Sequence, residues 1–332
     1  MKLTTFSVLN APWGDERVGL LLSDGRLADV TSAYADFLSS EKSASGAEKK
    51  ASALLPPKMV GIIRRGNEAL DALRTLLEHC EVWLAKGEDP PSPSGGRALI
   101  PQEEITFKAP VTRPGKIIAL GINYRDHLDE GGAVHNAPPF PMAFNKVVTT
   151  ITGHRQPIRI PKGSSQIDYE VELAMVIGQG GVNIEEKDWK KHIFGYTILN
   201  DVSEREIQFP ELKVGLLNLG KNFPTFAPMG PWLITPDEIP DPEDIAISCW
   251  VNDEAEPRQS STTRNLIFGM PRTVAHFSRM GLEPGDVIST GTPSGVAAFR
   301  TPPDPWWLKA GDEVRCLASG IGELVNPVVA SG

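Results

Sequence analysis

Short apolar runs separated by turn residues predict a small strand-and-helix unit that is followed by a strand-rich region. Near the N-terminus, the runs FSVL and VGLLL and the Asp24-Gly25 turn signal before LADV predict a β-hairpin. Between Asn67 and Lys86, apolar residues recur at steps of three and four, which predicts one amphipathic helix. Gly87 is expected to end that helix.

A Pro- and Gly-rich segment divides the chain. Residues 88–96, EDPPSPSGG, cannot continue a helix or a central strand and are the best linker candidate. Beyond them, apolar runs of strand length occur at 116–120, 171–177, 195–199 and 286–290. With few long helical patterns there, a mainly antiparallel or mixed β architecture is favoured over a doubly wound sheet. We therefore predict an α+β, mainly β chain, with a smaller N-terminal α/β accessory domain over 1–105 and a second domain over 106–332.

Composition and charge limit the class of protein. The chain has 332 residues, and 33 Lys and Arg against 42 Asp and Glu give a formal net charge of -9. This balance disfavours nucleic acid or an anionic membrane as the main partner. No apolar run approaches the ~18 residues of a membrane span, and the N-terminus lacks the apolar core of a signal peptide. Three widely spaced cysteines without a CxxC pair indicate a reducing compartment, so we expect a cytoplasmic protein.

Paired carboxylates begin one of the predicted strands. In DYEVELAMVI, a period of two places Glu170 and Glu172 on one strand face, and a third carboxylate, Asp201, ends the strand GYTIL. Like charges that lose hydration have raised pKa values or share a cation. If the three converge, they form an all-oxygen site suited to Mg²⁺, Mn²⁺ or Ca²⁺. The alternative is a solvated strand face with an ordinary turn aspartate, and the spacing leaves both open.

A histidine and a glutamate lie three residues apart after the strand at 116–120. If this segment is helical, Glu130 can hold the tautomer of His127 and raise its basicity, which gives a dyad able to deprotonate water. The HxxE pattern also occurs in surface ion pairs. The following GGAVHNAPPFP, residues 131–141, is either a lid over a substrate or an ordinary long loop.

Five motifs occur in a characteristic order. They are GxNYxxHxxE, DYExEL, GYTxxNDVS, GKxFxTFxPMGPW and EPGDVIxTGTPSGV, at 121–130, 168–173, 195–203, 220–232 and 283–296. In this order the chain resembles the fumarylacetoacetate hydrolase family, and its first 105 residues resemble the leading domain of longer members. The resemblance implies a mixed β-roll fold, a homodimer, and a metal-dependent enzyme acting on small β-diketo or 2-oxo acids.

The resemblance also implies roles for individual residues. The expected ligands of Mg²⁺ or Mn²⁺, and of Ca²⁺ in crystals, are Glu170, Glu172 and Asp201. The expected catalytic residues are His127 and Glu130, which activate water in hydrolytic members, and Lys221. The expected substrate contacts are Tyr124, Arg205, Gln208 and Thr292.

Two motifs depart from the common family pattern. Where many members read SARD, this chain reads SERE, which keeps Arg205 but changes its surroundings. Where GKSFDTF is common, Asn222 replaces the serine and Pro224 replaces the aspartate. We therefore expect a different hydrogen-bond network around Lys221.

From these residues we predict carbon–carbon bond hydrolysis of an acylpyruvate or related β-diketo acid, through a metal-stabilised enolate and water activated by the dyad. The same enolate arises in oxaloacetate decarboxylation and in keto–enol tautomerisation, so both remain alternatives. An alternative of another class is a catalytically lapsed, metal-binding interaction protein. A structural ion site is closed by protein ligands, whereas a catalytic one leaves positions open to water or substrate.

Overall fold

The computed structural model describes residues 1–9, 15–41, 46–87, 97–130 and 137–331. The linker segment 88–96 and the first part of the candidate lid, 131–136, lie outside the described residues. Among the residues that are described, no helix is long and apolar enough to cross a membrane.

The N-terminal third contains the predicted hairpin and helix. The hairpin turn is closed by Leu22, whose N–H donates to the Arg26 carbonyl, and Gly25 adopts a φ of 89°. The long helix ends at Gly87, whose left-handed conformation suits glycine. The elements are β1 (Lys2–Val8), β2 (Arg17–Leu21), β3 (Leu27–Asp29), α1 (Val30–Glu41), α2 (Ala47–Leu54), α3 (Met59–Arg65), α4 (Asn67–Lys86), β4 (Leu99–Ile100) and β5 (Ile105–Lys108).

The remainder of the chain is rich in strands, and each apolar run of the sequence forms one. Its first elements are β6 (Ile117–Gly121), α5 (Arg125–Glu130), β7 (Met142–Asn145), β8 (Ile151–Thr152), β9 (Ile158–Ile160), β10 (Ile167–Asp168), β11 (Val171–Ile177) and β12 (Ile193–Asn200). Its later elements are β13 (Ser203–Glu204), α6 (Arg205–Lys213), β14 (Ala227–Ile234), β15 (Ala246–Val251), β16 (Gln259–Thr262), α7 (Met270–Ser278), β17 (Val287–Ser289), β18 (Glu313–Ala318) and β19 (Gly322–Ala330).

Two sheets form the body of the protein. The larger has the spatial order β4-β3-β2-β1-β14-β12-β11-β17-β6-β7, with β5 beside β1 and β8 beside β14. Its pairs are antiparallel except β17 with β6 and β14 with β8. The smaller sheet has the order β16-β15-β18-β19-β9, and only its β19–β9 pair is parallel. This mixed, mainly β architecture confirms the predicted fold class.

Strand β11 is buried on both faces between two apolar layers. Ala174 and Val176 pack in one core cluster with Leu73 of α4. Leu173 and Met175 pack in the other, together with residues of the smaller sheet. Because side chains of a strand alternate between faces, the helices of the N-terminal third cover one face and the smaller sheet covers the other.

The larger sheet continues across the predicted domain boundary near residue 105. Strand β1 pairs with β14, with Lys2 opposite Ile234 and Leu3 opposite Leu233. The division into two domains stays a prediction, and the structure adds that their strands share one sheet.

Replacing Leu3 by alanine should destabilise the whole protein, because this residue is fully buried where β1 meets β14. Truncation of a buried leucine costs about 2–5 kcal/mol. We expect far-UV circular dichroism and tryptophan fluorescence to report one shared urea transition at a lower midpoint. The control Val214→Ala, at a side chain that is 72% exposed, should change the free energy of unfolding by less than ~0.5 kcal/mol. Two separated transitions would contradict a single cooperative sheet.

Candidate active site

The antiparallel pairing of β11 with β12 brings the three predicted metal-binding carboxylates together. Val171 lies opposite Asn200, so the start of β11 and the end of β12 meet at one end of the sheet. The Asp201 N–H donates to the Glu170 carbonyl at 2.9 Å. One carboxylate oxygen from each of Glu170, Glu172 and Asp201 lies within 4.8 Å of the others.

These carboxylates are not on a solvated strand face. Glu170 is 5% exposed, Glu172 1% and Asp201 0%. Burying a carboxylate without a partner is costly, so each must find a donor or a cation in the protein or in a ligand. Their burial excludes the alternative of a solvated strand face with an ordinary turn aspartate.

Three buried cations surround two of the carboxylates. Lys221 Nζ lies 2.5 Å from Glu170 Oε2 and 2.8 Å from Asp201 Oδ2. Arg205 Nη2 lies 2.6 Å from Glu170 Oε1, and Lys146 Nζ donates to Asp201 Oδ1. Burial alone would raise the pKa of Glu170, but Lys221 and Arg205 lower it to about 2.

Glu172 is the carboxylate that receives no cation from the described part of the chain. Its Oε2 accepts hydrogen bonds from the Ser289 hydroxyl and from the Gly291 N–H at 3.2 Å. Burial, together with the charges of Asp201 and Glu170, raises the pKa of Glu172 well above its usual range. A dication held by three carboxylate oxygens would supply the missing charge, and an all-oxygen donor set suits Mg²⁺ or Mn²⁺ better than zinc.

The balance of buried charge points to an anionic ligand. Counting Asp168, which pairs with Arg205 at 2.8 Å, four carboxylates face three cations, and one negative charge is left over when all are ionised. A dication would turn this excess into one positive charge. A site with that net charge would attract carboxylate ligands.

The guanidinium of Arg205 is largely engaged by the protein itself. Its Nε donates to Asp168 Oδ2 at 2.9 Å, and its Nη1 donates to Gln208 Oε1 at 2.7 Å. Arg205 begins α6 and Gln208 follows one turn later, so the two side chains meet on one helix face. Arg205 therefore holds the Glu170 carboxylate in place through an ion pair. Its contact with a substrate carboxylate stays a prediction.

The predicted dyad is assembled on the short helix α5. His127 Nδ1 lies 3.3 Å from Glu130 Oε2, and Glu130 Oε1 accepts from the Gly295 N–H at 2.9 Å. The Phe299 ring packs 5.4 Å from the imidazole ring. The His127 and Glu130 side chains are only 13% and 18% exposed, so this pair is not a solvated surface ion pair.

The other two predicted substrate contacts differ in how their hydroxyl groups are used. Tyr124 is fully buried, and its hydroxyl lies beside Thr290 without a hydrogen bond of ordinary geometry among the described residues. The Thr292 hydroxyl donates to the Val171 carbonyl at 3.0 Å and accepts from Gln259 Nε2 at 2.9 Å. The Thr292 hydroxyl is thus the more fully engaged of the two, and a substrate role for either residue stays a prediction.

Sequence reasoning missed three residues that touch this cluster. Lys146 follows β7, and the alternation in MAFNK places it on the same strand face as Phe144. Asp168 stands in the DYExEL motif, and Ser289 lies in the predicted strand at 286–290. Asp168 and Ser289 thus lay in segments that the sequence marked and Lys146 did not, and only the pairing of distant strands shows that the three meet the carboxylates.

Glu172→Gln should abolish Mn²⁺ binding and stabilise the metal-free protein at neutral pH, because the amide keeps the shape of the side chain without its charge. A carboxyl group whose pKa in the folded protein lies above the ordinary 4.5 makes folding less favourable as the pH rises from 4.5 towards that folded pKa. The stability gained from Glu172→Gln should therefore shrink between pH 7 and pH 5.

Thermal unfolding in a chelator and calorimetric Mn²⁺ titration test this. The control is Glu323→Gln, at a glutamate that is 44% exposed. Undiminished Mn²⁺ binding by Glu172→Gln would contradict a metal centre at the three carboxylates.

Comparison with known proteins identifies relatives over the whole chain. Residues 116–329 match the family described as "Fumarylacetoacetate (FAA) hydrolase C-terminal". Oxaloacetate tautomerase fahd2, mitochondrial, of Xenopus laevis is 37% identical over 330 residues, which cover 99% of this chain and 90% of that protein. Oxaloacetate tautomerase YisK of Bacillus subtilis is 35% identical over 331 residues, which cover 99% of this chain and 100% of that protein.

Solved structures agree with this assignment. The maleylpyruvate hydrolase of Sphingobium sp. SYK-6, in complex with manganese(II) and pyruvate, superposes with a TM-score of 0.69 at 27% identity, and each chain is covered in full. The names of the relatives support an enzyme of oxo acids but favour the tautomerase alternative over the hydrolase prediction. The Xenopus relative is mitochondrial and the YisK name states no compartment, so a cytoplasmic location stays a prediction, as does the homodimer. The chain belongs to the fumarylacetoacetate hydrolase family.

Proposed function

We propose that this protein is a divalent-metal-dependent oxaloacetate keto–enol tautomerase. The observation that carries the proposal is the buried cluster of Glu170, Glu172 and Asp201, one of which receives no cation from the described residues. Its occurrence in a chain that aligns almost end to end with two proteins named oxaloacetate tautomerase supports this substrate.

The three carboxylates are the residues that would hold Mg²⁺ or Mn²⁺. When bound there, the ion would polarise the 2-oxo group of the substrate and make the enolate less costly. The donor chemistry fits such an ion because all three ligands are oxygens. A family neighbour that was solved with manganese and pyruvate, which is itself a 2-oxo acid, is consistent with this choice.

Side chains of this chain would bind the anionic substrate. The Lys221 ammonium lies between Glu170 and Asp201 and would stabilise negative charge that develops on the substrate oxygen at C2. Because Gln208 Oε1 accepts from Arg205, the amide nitrogen of Gln208 points away from that guanidinium. It makes no hydrogen bond within the described part of the chain and would donate to a substrate carboxylate. The buried hydroxyl of Tyr124, which is only weakly engaged by Thr290, would be a further donor.

The dyad would move the proton. Tautomerisation transfers one proton between the C2 oxygen and C3, and no water attacks. Glu130 lies at Nδ1 of His127 and favours the tautomer with a proton there, which leaves a basic Nε2 to take up and return the proton.

Hydrolysis of an acylpyruvate is the second candidate function. It is favoured by one observation, the assembled dyad, in which the Gly295 N–H fixes Glu130 and Glu130 fixes His127. The same imidazole could deprotonate water instead of a carbon acid. The two functions therefore differ in substrate and in the fate of the enolate rather than in the residues used.

Three assays with the Mn²⁺-loaded protein separate the candidate reactions. Tautomerisation removes the enol absorbance of fresh enol-oxaloacetate and releases no pyruvate. Decarboxylation releases pyruvate from oxaloacetate, and hydrolysis releases pyruvate from acetylpyruvate. We expect fast enol loss without matching pyruvate. Pyruvate release from oxaloacetate at the rate of enol loss would contradict the tautomerase proposal.

His127→Asn should lower the rate of tautomerisation by at least ~10²-fold, because general acid–base catalysis contributes ~10²–10⁴-fold. Mn²⁺ affinity should stay near wild type, since His127 is not among the three carboxylate ligands. The measurement is stopped-flow enol absorbance with calorimetric Mn²⁺ titration, and His192→Asn serves as a histidine control. Full activity of His127→Asn would assign proton transfer to another residue.

A further inference from the structure

Lys146 is a buried lysine that neither the sequence motifs nor the proposed reaction uses. It follows β7 at one edge of the larger sheet, and its N–H donates to the Ile117 carbonyl of β6. Its side chain is 0% exposed. Nζ donates to Asp201 Oδ1, to the Lys221 carbonyl at 2.6 Å and to the Val202 carbonyl at 3.5 Å. These acceptors account for the three donor hydrogens of the ammonium.

The two lysines of the cluster have different surroundings. Lys221 Nζ contacts side-chain oxygens of Glu170 and Asp201, and it also lies 5.2 Å from the centre of the Phe144 ring. Lys146 instead contacts two main-chain carbonyls and the other oxygen of Asp201. The two carboxylate oxygens of Asp201 therefore have different partners. Oδ1 accepts a hydrogen bond from Lys146, and Oδ2 accepts one from Lys221.

Asn222 holds the main chain on both sides of Lys146. Its Oδ1 accepts from the Val147 N–H at 2.7 Å, and its Nδ2 donates to the Asn145 carbonyl at 3.2 Å. Nδ2 also donates to the Asn218 carbonyl at 2.8 Å. The serine of the common motif has a shorter side chain with a single hydroxyl, so it cannot bridge both main-chain groups as this amide does.

We propose that Lys146, held by Asn222, is a positioning residue of the active site. Lys146 orients the Asp201 carboxylate so that only Oδ2 can bind a dication. Its hydrogen bond to the Lys221 carbonyl also keeps the Lys221 ammonium next to the carboxylates. The inference rests on the proposed function, since it takes the three carboxylates as the metal site. Lys146 acts through Asp201 and Lys221 and does not touch the substrate.

Metal affinity distinguishes positioning from simple charge compensation. If Lys146 only neutralised charge, its removal would leave an additional negative charge and the dication would bind more tightly. If Lys146 positions Asp201, its removal frees that carboxylate to rotate and binding weakens. Loss of a residue that orients a metal ligand typically costs ~10–100-fold in affinity. The two roles therefore predict opposite signs.

The experiment compares Lys146→Met with Lys116→Met in the full chain. Lys116 Nζ lies 2.7 Å from Asp286, a fully buried aspartate in the same sheet but outside the carboxylate cluster. Both substitutions remove a lysine from a buried aspartate, so both should lower the melting temperature. Mn²⁺ affinity is measured by calorimetry, and kcat and KM are measured on enol-oxaloacetate.

We expect Lys146→Met to weaken Mn²⁺ binding by at least ~10-fold and to lower kcat, while Lys116→Met keeps wild-type values. Asn222→Ala leaves the ammonium in place and should give a smaller loss of the same sign, which carries the test if Lys146→Met does not fold. Wild-type or tighter Mn²⁺ binding by Lys146→Met would overturn the inference and leave the proposed function standing. Absence of Mn²⁺ binding by the wild type would overturn the proposed function itself.

Discussion

Four carboxylates held at one end of a β-sheet and away from water are stable only when opposite charge is placed among them. The chain delivers that charge from three separate segments, which are the end of β7, the start of α6 and the turn that precedes β14. The ion pairs also hold these segments in place. Arg205 forms ion pairs with both Asp168 and Glu170, and Lys221 forms them with both Glu170 and Asp201. The architecture around the site is therefore organised by charge compensation as much as by apolar packing.

Local pattern predicted the elements well because it depends on residues close in sequence. The apolar run VELAMVI matches β11 residue for residue, and the helix from Asn67 to Lys86 has the predicted bounds. His127 and Glu130 share a helix, which was the condition for their contact. The pairing of β1 with β14 and the hydrogen bond between Lys146 and Asp201 were not predictable, because each joins segments that are far apart in the sequence. Buried charge partners of this kind leave no periodic signal.

Tautomerisation, decarboxylation and hydrolysis share one anionic intermediate, so the features that stabilise it do not separate them. What separates them is whether a proton, a carboxyl group or an attacked carbonyl occupies the neighbouring carbon. In this chain the Gly295 N–H donates to Glu130, and the His127 ring packs against Phe299 of the following loop. Under the proposed function, the reaction would therefore depend on where this loop holds the imidazole relative to the three carboxylates.

The cover that the N-terminal helices place over β11 sets a lower limit on the size of a working fragment. Ala174 and Val176 lie on the same side of the strand as Glu172 and pack in the core cluster that contains Leu73 and Leu76. The segment that matches the family, 116–329, lacks those helices and the strands beside them. Cut at that border, the segment would expose to water the apolar residues on the Glu172 side of β11, so the stable folding unit of this protein is larger than the segment that matches the family.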